Sequence, residues 1–318
     1  MFVSKIDKIE IDCFRFFPNV KAMTLPDYEA WAIFAAVARR GSFTAAAKEL
    51  NLSKPTISKA ITRLEQSLGT VLFHRTSRKI SLSTAGRSLL PHAQQISYDG
   101  EAAMEAARDT THLLNGRVSL AAPLSYGLSH LAPVIADFMC AYPEITVDLQ
   151  LNDARVDLIE EGFDCAIRIG ALPDSSLRAI KLRNMSGYFI AAPSYIEREG
   201  QPETPADLGE HDCFIYSNTL SPEVWSISDK SGEITSVRPK ARFRSNNGDV
   251  MLPALIAGRG IGYLPDFLCQ KALDAGDLIN ILPDWHMGEI ALNIVMPPSR
   301  LRPARVDALV DFLKDNLR

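Results

Sequence analysis

The chain has 318 residues, of which 47% are hydrophobic and 23% are charged, and its formal net charge at pH 7 is −4. Such a chain is long enough for two or three compact units, and its composition is that of an ordinary soluble globular protein. No stretch approaches the roughly 20 uncharged apolar residues that cross a bilayer, so the sequence excludes a membrane-spanning protein.

The N-terminal residues 1–22 carry scattered charges and have no continuous apolar run ahead of a small-residue cleavage site. A secretory signal peptide is therefore not predicted, and the protein is expected in the cytoplasm. We expect 1–22 to be a leader, either disordered or the product of a misassigned start codon. The first domain is expected to begin near Met23.

The five cysteines are odd in number and far apart, and none belongs to a Cys-x-x-Cys pair. Neither a disulfide framework nor a zinc site is predicted, and buried, reduced thiols are the favoured interpretation. No motif in the sequence requires a metal or a cofactor, and none is predicted.

Positive charge is concentrated in one segment, 53–87, which contains seven basic residues and the single acid Glu65. Its formal charge is 7 − 1 = +6, so the remainder of the chain carries −4 − 6 = −10. A basic module on an acidic body is typical of a protein that binds phosphate groups locally. A solvated face that lacks acids by chance is the alternative.

Apolar periodicity predicts a first helix from Pro26 to just before Gly41. A second, short helix is predicted over 43–50, with Ser42 or Gly41 at its N-terminal cap. Asn51 then suits a left-handed turn, because its short polar side chain tolerates a positive φ.

Ser53 caps a predicted third helix with Pro55 in its first turn, where the amides have no intrahelical partner. Apolar residues from Ile57 to Leu68 form its buried stripe, and small hydroxyl and basic residues are left outside. This pattern predicts a helix-turn-helix that reads a major groove, and a helical hairpin buried in a core is the alternative. The candidate DNA-binding residues here are Ser42, Thr44, Ser53, Lys54, Pro55, Thr56, Ser58, Lys59 and Arg63.

Two short apolar stretches on either side of a basic tip follow, which predicts a β-wing beside the helix-turn-helix. After the wing, a hydroxyl-capped, alanine-rich helix from Ala85 to about Asn115 predicts a linker and dimerisation element, with one more core helix as the alternative. Replacing Arg63 or Arg78 by alanine is expected to lower DNA affinity without unfolding the protein. The candidate DNA-binding residues of the wing are His74, Arg75, Arg78 and Lys79.

From Phe34 to Gly86 the sequence FAAVARRGSFTAAAKELNLSKPTISKAITRLEQSLGTVLFHRTSRKISLSTAG resembles the DNA-binding domain of LysR-type transcriptional regulators. The similarity continues to Arg318 through segments such as DLIEEGFDCAIRIGALPDSSLRAIKL and NNGDVMLPALIAGRGIGYLPDFL. The resemblance implies an α/β protein with an N-terminal winged helix-turn-helix, a linker helix and a two-lobed, periplasmic-binding-protein-like effector domain. The implied domains are 23–84, 85–114 and 115–318, with the first lobe at 115–183 and 288–318 and the second at 184–287.

Independently, short β-branched or apolar runs alternate with helix-like segments from Arg117 onward, which predicts a parallel α/β arrangement. Ligands of such sheets bind beyond the carboxyl ends of the strands. The loops with this placement are 122–127, Asn152-Asp153, 168–170, 216–218, 245–249 and 262–265. The candidate effector-binding residues are Pro123, Leu124, Ser125, Tyr126, Asn152, Arg168, Ile169, Gly170, Tyr216, Ser217, Asn246, Asn247, Gly248 and Pro265.

Several of these candidates have a purely structural alternative. Ser125 either bonds a ligand or only caps the next helix. Arg168, on an otherwise apolar strand, either binds a carboxylate or forms an ion pair with an acid such as Asp164. Asn246 and Asn247 either line a cleft or only form a tight turn.

The resemblance implies a DNA-binding transcriptional regulator, not an enzyme, controlled by a small-molecule effector in the cleft between the lobes. The implied partners are double-stranded operator DNA, an effector of unknown identity and further copies of the chain, as a dimer or tetramer. RNA polymerase is a further candidate partner. A solute-binding protein and an α/β enzyme with an accessory DNA-binding domain are the alternatives. The first would need a signal peptide, and the second lacks a Gly-x-Ser-x-Gly, Walker or metal-spaced motif.

Overall fold

The computed structural model of the chain describes residues 25–75, 80–106, 114–154, 157–170, 172, 177–219, 221–298 and 302–317. The chain divides into two compact units, Met1–Gly86 and Arg87–Arg318. The predicted leader and the wing-tip residues Arg78 and Lys79 lie outside the described residues, as does the segment 107–113 of the predicted linker helix.

The described part of the first unit begins with three helices whose ends are set by local side chains. Asp27, Ser42 and Ser53 are the N-caps, and each accepts a hydrogen bond from the backbone N–H three residues further on, at 3.1, 3.3 and 3.2 Å. Gly41 and Gly69 end the first and third helices with φ of 59° and 65°. The helices are α1 (Tyr28–Arg40), α2 (Phe43–Glu49) and α3 (Lys54–Leu68).

The predicted turn between α2 and α3 is confirmed. Asn51 has a φ of 54°, and the Leu52 N–H donates to the Ala47 carbonyl at 2.9 Å. Ala46 and Ala47 are buried on the inner face of α2, where their small side chains allow the neighbouring helices to approach.

The predicted wing is also confirmed. Strands β1 (Phe73–Arg75) and β2 (Ile80–Leu82) are antiparallel, with Phe73 opposite Leu82. The ring of Phe73 packs edge-on against Phe34 of α1 and Phe43 of α2, with centroids 5.3 and 5.8 Å apart, so the base of the wing belongs to the core of this unit.

A long helix, α4 (Thr84–Ala106), follows the wing. The Ser83 hydroxyl accepts a hydrogen bond from the Gly86 N–H at 2.9 Å, which is the predicted hydroxyl cap. The helix continues through Pro91, which offers no backbone donor.

The described residues of the second unit form two five-stranded sheets. The first-lobe sheet has the strand order β4-β3-β5-β14-β6, and the second-lobe sheet has the order β11-β8-β12-β7-β13. The first-lobe strands are β3 (Gly116–Ala122), β4 (Ile145–Leu151), β5 (Cys165–Ile169), β6 (Arg178–Met185) and β14 (Ile290–Met296). The second-lobe strands are β7 (Gly187–Ala191), β8 (Asp212–Tyr216), β11 (Lys240–Ser245), β12 (Ile261–Pro265) and β13 (Ile279–Asn280), and β9 (Trp225–Ser228) pairs separately with β10 (Ile234–Val237).

Helices and turns cover both sheets. On β7, Phe189 and Ala191 face one apolar cluster and Ile190 faces another, so the second-lobe sheet is buried on both faces. A π-helical turn (Gly127–Leu131) joins α5 to α6, and a 3-10 turn (Pro205–Gly209) precedes β8. The helices are α5 (Leu124–Tyr126), α6 (Ala132–Ala141), α7 (Leu158–Glu161), α8 (Pro193–Glu199), α9 (Leu252–Ile256), α10 (Asp266–Asp274) and α11 (Ala304–Asn316).

The predicted parallel arrangement is found in only half of the strand pairings of the two large sheets. β3 is parallel to β4 and β5, but β14 runs antiparallel to β5 and β6. In the second lobe β8 is parallel to β11 and β12, whereas β7 is antiparallel to β12. β14 therefore runs opposite to the other strands of the first-lobe sheet, and β7 runs opposite to the other strands of the second-lobe sheet, which makes both sheets mixed.

Burial of the cysteines is confirmed for three thiols and is wrong for a fourth. Cys165, Cys213 and Cys269 are buried, and burial raises the pKa of Cys213 to about 12, whereas Cys140 is exposed on α6. Cys13 lies outside the described residues. None of the helices in the described ranges is both long and apolar enough to span a membrane.

Candidate functional site

The first candidate site is the outer face of α3. Ile57, Ala60, Ile61 and Leu64 are buried at helical spacing, which turns the opposite side of the helix to solvent. At the N-terminal end, Ser53, Lys54, Pro55 and Thr56 are exposed, Lys59 is exposed one turn later, and Ser58 is half-buried.

The hydroxyls of this face have structural partners as well as exposure. The Ser53 and Thr56 hydroxyls lie 2.8 Å apart, so the cap and the first turn hold each other. Ser42 caps α2 in the same way, and Thr44 is exposed beside it. Each of these hydroxyls retains lone pairs or a proton for a further partner.

The two lysines of α3 differ from its arginine. Within the described residues, neither Lys54 nor Lys59 has an ion-pair or hydrogen-bond partner through its side chain. Arg63 instead donates from Nε to the Asp27 carboxylate and lies 3.9 Å from Glu29. That hydrogen bond holds the pKa of Asp27 below its ordinary value. Arg63 is therefore exposed but already paired within its own unit.

The wing contributes less than the sequence predicts, because its tip is outside the described residues. His74 is exposed on β1, opposite Ser81. The backbone of Arg75 is paired with Ile80, and its side chain is outside the described part. The Leu72 N–H donates to the carboxylate of Glu65 on α3 at 2.8 Å, which fixes the base of the wing against that helix.

The second candidate site lies where the carboxyl ends of two parallel strand pairs meet. Ala122 of β3 is paired with Leu151 of β4, so the loops that follow these strands are neighbours. Tyr216 of β8 is likewise paired with Ser245 of β11. The inter-lobe cleft is defined here by the residues after these four strands, 123–125, 152–153, 217–218 and 246–247.

Hydrogen bonds between buried and half-buried groups join the two lobes in this cleft. Asn247 Nδ2 lies 3.1 Å from Ser125 Oγ and 2.6 Å from Asp153 Oδ2. Asn247 and Ser125 are each 8% exposed, so both are buried polar groups that bond across the cleft. Ser125 does not cap a helix, because Pro123 is the N-cap of α5 and makes no side-chain cap.

Asp153 has bonds to both lobes. Its Oδ1 accepts a hydrogen bond from the Leu124 N–H at 3.0 Å, and its backbone carbonyl accepts one from Asn218 Nδ2. The same Asn218 amide donates to the Asn246 carbonyl at 3.3 Å. Burial, together with the nearby Asp153 charge, raises the pKa of Tyr216.

Some predicted residues are engaged elsewhere. Tyr126 is buried in the first-lobe core, stacked on His130 with ring centroids 4.9 Å apart. The Asn152 side chain accepts from Ala154 N–H at 2.9 Å, a local turn. A Cβ on Gly248 would lie 2.5 Å from Leu268, so this glycine allows close packing.

The remaining candidates form the surrounding backbone and strand ends. Ser217 N–H donates to the Ser245 carbonyl at 2.9 Å, and the Pro265 carbonyl accepts from the Cys269 thiol. Arg168 and Ile169 are half-buried on β5. Gly170 follows at a φ of 104°, where its N–H donates to the Ala291 carbonyl at 2.9 Å.

Asp153 and Asn218 lie in loops that the sequence marks, yet they are absent from the predicted site residues. The signal for Asp153 is its position directly after a strand end, where a charged side chain has no helix or strand partner of its own. Among the described residues, no group of three or more His, Cys, Asp or Glu side chains is placed to hold a metal ion.

Comparison with known families decides the identity of the chain. Residues 111–318 match the family model of the LysR substrate binding domain, and residues 28–87 match that of the bacterial regulatory helix-turn-helix proteins of the lysR family. The chain belongs to the LysR family. LysR-family proteins are transcriptional regulators that bind operator DNA and small-molecule effectors and form oligomers.

Relatives of this LysR-family regulator match over nearly its whole length. An HTH-type transcriptional regulator of Haemophilus influenzae is 34% identical over 280 residues, which cover 88% of this chain and 97% of the relative. The structure of CrgA from Neisseria meningitidis, a LysR-type transcriptional regulator, aligns with a TM-score of 0.56 and 29% identity over 92% of this chain and 99% of that one. The full-length structure of the Vibrio cholerae virulence activator AphB aligns with a TM-score of 0.55 and 25% identity, covering 91% and 98%.

These matches confirm the winged helix-turn-helix joined to a two-lobed effector domain and the regulator function. They do not support a solute-binding protein or an α/β enzyme as the main function.

Proposed function

We propose that the exposed N-terminal half of α3 enters the major groove of the operator and that the wing contacts the adjoining backbone. The observation that carries this proposal is the face formed by Lys54, Thr56 and Lys59. Two of its side chains are cations without a partner in the described part of the chain, on a helix whose other side is buried. Small hydroxyls suit base edges, and lysines suit phosphates.

In this proposal the effector binds in the inter-lobe cleft and shifts the equilibrium between lobe arrangements, which changes operator binding or transcriptional output. The support is that Asn247 of one lobe bonds to Ser125 and Asp153 of the other, so that a ligand there contacts both. The proposed domains are those predicted from the sequence, with a linker at 85–114 that contains most of α4. β6 ends at Met185, two residues beyond the predicted end of that part of the first lobe.

The proposed regulator acts as a dimer or a tetramer in the cytoplasm, without catalysis, and RNA polymerase is its proposed partner in transcription. A dimer presents two recognition helices to successive major grooves, so its operator is a partial inverted repeat.

Fluorescence-anisotropy titration of the full-length protein tests the proposal, with the DNA upstream of its own gene compared with unrelated DNA of the same length. We expect selective binding to the upstream DNA. We also expect the logarithm of the association constant to fall linearly with the logarithm of the salt concentration, because lysines release counterions from the phosphates.

Equal affinity for both DNAs at every salt concentration, together with no protected site in a footprint of the wider genomic region, would contradict operator recognition by α3.

A further inference from the structure

The Asp153 carboxylate accepts hydrogen bonds from two donors, one in each lobe. The Leu124 N–H of the first lobe donates to Oδ1 at 3.0 Å, and Asn247 Nδ2 of the second lobe donates to Oδ2 at 2.6 Å. Each oxygen therefore has one donor, and the two donors match the two oxygens of one carboxylate carbon.

The donors are fixed by their surroundings. Asn247 Oδ1 accepts from the Val250 N–H at 3.2 Å, which orients the amide so that Nδ2 points towards Asp153 and Ser125. Asn247 is 8% exposed, so its amide has little freedom to turn. The Leu124 N–H belongs to the first residue of α5, and Pro123 joins it to the end of β3.

Asp153 itself is held less firmly than its donors. It is half-buried and lies in the loop between β4 and α7, outside any strand or helix. Within the described residues its carboxylate has no cationic partner, and both of the side-chain bonds given above are to neutral amides. Rotation about χ1 would move the carboxylate away from these two donors while the backbone stays in place.

We propose that Asp153 is a built-in occupant of a carboxylate subsite, and that a carboxylate group of the effector takes its two donors when the effector binds. The proposal rests on the proposed function in that the cleft is the effector site. The bond from each lobe then passes from the Asp153 side chain to the ligand, so the effector class is a small organic acid. Its apparent affinity is reduced by the fraction of molecules in which Asp153 fills the subsite.

Chemical rescue of the full-length chain tests this without knowledge of the effector. Asp153→Ala removes the occupant and leaves its donors, and sodium acetate is the probe. In thermal melts, acetate at about ten times its dissociation constant is expected to raise the Tm of the variant by roughly 3–6 °C, with sodium chloride at equal ionic strength as the reference. The wild-type protein is expected to respond much less.

Asp148→Ala is the matched control, because Asp148 lies on β4 in the same lobe and its carboxylate pairs with Arg117 at the surface. An equal acetate response in Asp148→Ala and Asp153→Ala would overturn the proposal. Asp153→Ser is a second variant with the same expected rescue. If neither Asp153 variant folds, the proposal is also wrong, because an occupant that a ligand displaces is not needed for folding.

The melts contain no DNA, so they separate this inference from the proposed function. Rescue without selective operator binding would leave the carboxylate subsite standing and contradict only the role of α3. Selective operator binding without rescue would support the role of α3 and contradict the carboxylate subsite.

Discussion

At the scale of single residues, the cationic side chains of α3 differ in whether they already have an acidic partner within the chain. Lys59 is exposed and has no partner in the described part of the chain, whereas Arg63, one turn further on, is paired with Asp27. A cation that already neutralises an acid gains less from a phosphate, since it must lose one partner to take the other.

Lys59→Ala is therefore expected to weaken operator binding by about 1–2 kcal/mol, or roughly 5- to 30-fold in Kd, and to reduce the salt slope by about 1. Anisotropy titrations at several salt concentrations measure both quantities. Lys271→Ala makes the same change of charge on α10 of the second unit, and it is the control. An equal loss in the two variants would show that net charge, and not the α3 face, determines the affinity.

For Arg63→Ala we expect a smaller loss of DNA affinity than for Lys59→Ala, with the protein still folded. The sequence alone predicts a contact between Arg63 and DNA but gives no sign of its partner, which lies 36 residues earlier at the cap of α1. Titrations of the two variants side by side check the order. A larger loss for Arg63→Ala would mean that its guanidinium leaves Asp27 when DNA binds.

At the scale of elements, the start of α4 is packed against the backbone of the wing. A Cβ on Gly86 would lie 2.2 Å from the Leu72 carbonyl oxygen, a contact that backbone atoms cannot relieve without moving. Gly100, in the same helix, has open space around the position of its Cβ.

Gly86→Ala is expected to destabilise the protein by roughly 1–3 kcal/mol through overpacking against the wing. Gly100→Ala, the matched control, is expected to stabilise it by roughly 0.5–1 kcal/mol, because alanine is the better helix former. Thermal melts followed by circular dichroism measure both changes. Stabilisation by Gly86→Ala would show that the wing does not rest on the helix start.

His130, in the π-helical turn before α6, is expected to make the stability of the protein depend on pH. Burial and the nearby Arg183 lower the pKa of His130, with Lys271 acting in the same direction and Asp266 against it. As the pH falls, this histidine therefore takes up its proton at a higher pH in the unfolded chain than in the folded chain. The stability from the neutral ring is complete above the ordinary pKa of 6.5 and is lost as the pH falls through the lower, folded value.

Accordingly, the Tm of wild-type protein should fall between about pH 7.5 and about pH 5.5, and the fall should be smaller in His130→Phe, which keeps an aromatic ring against Tyr126. His92→Phe, at an exposed position on α4, is the control for loss of a histidine. Identical pH profiles for the wild type and His130→Phe would assign the pH dependence to other groups.

The elements that the sequence predicts well are those encoded locally. Ser42, Ser53 and Asn51 act on residues within a few positions of themselves, so the two caps and the turn follow from the local sequence alone. The bond between Asp153 and Asn247 joins residues 94 positions apart. No local pattern encodes such a pair, and it exists only because two sheets place their carboxyl ends face to face.

The direction of the strands could not be predicted from the sequence for a related reason. β14 has the apolar run of a buried strand whichever way it points, since both faces of the first-lobe sheet are covered. Its antiparallel pairing with β5 is fixed by where the chain returns from the second lobe, which hydrophobic periodicity does not record.

At the scale of the whole molecule, the proposed dimer binds DNA through its two first units, because the positive charge of each copy is concentrated there. Inserting about 5 bp, half a turn, between the two half-sites of the operator is expected to weaken binding, and inserting about 10 bp is expected to restore part of the affinity. Anisotropy with the three DNAs measures this. Equal affinity for all three would mean that the half-sites are bound independently.

The path of the chain through the two lobes has an evolutionary consequence. Everything between the end of β6 at Met185 and the start of β14 at Ile290 belongs to the second lobe or its connections, whereas the first lobe is assembled from two separate stretches. One continuous piece of the gene therefore encodes Asn218 and Asn247. A single recombination event with two crossovers exchanges that wall of the cleft whole, and leaves Asp153, α4 and the first unit as they were.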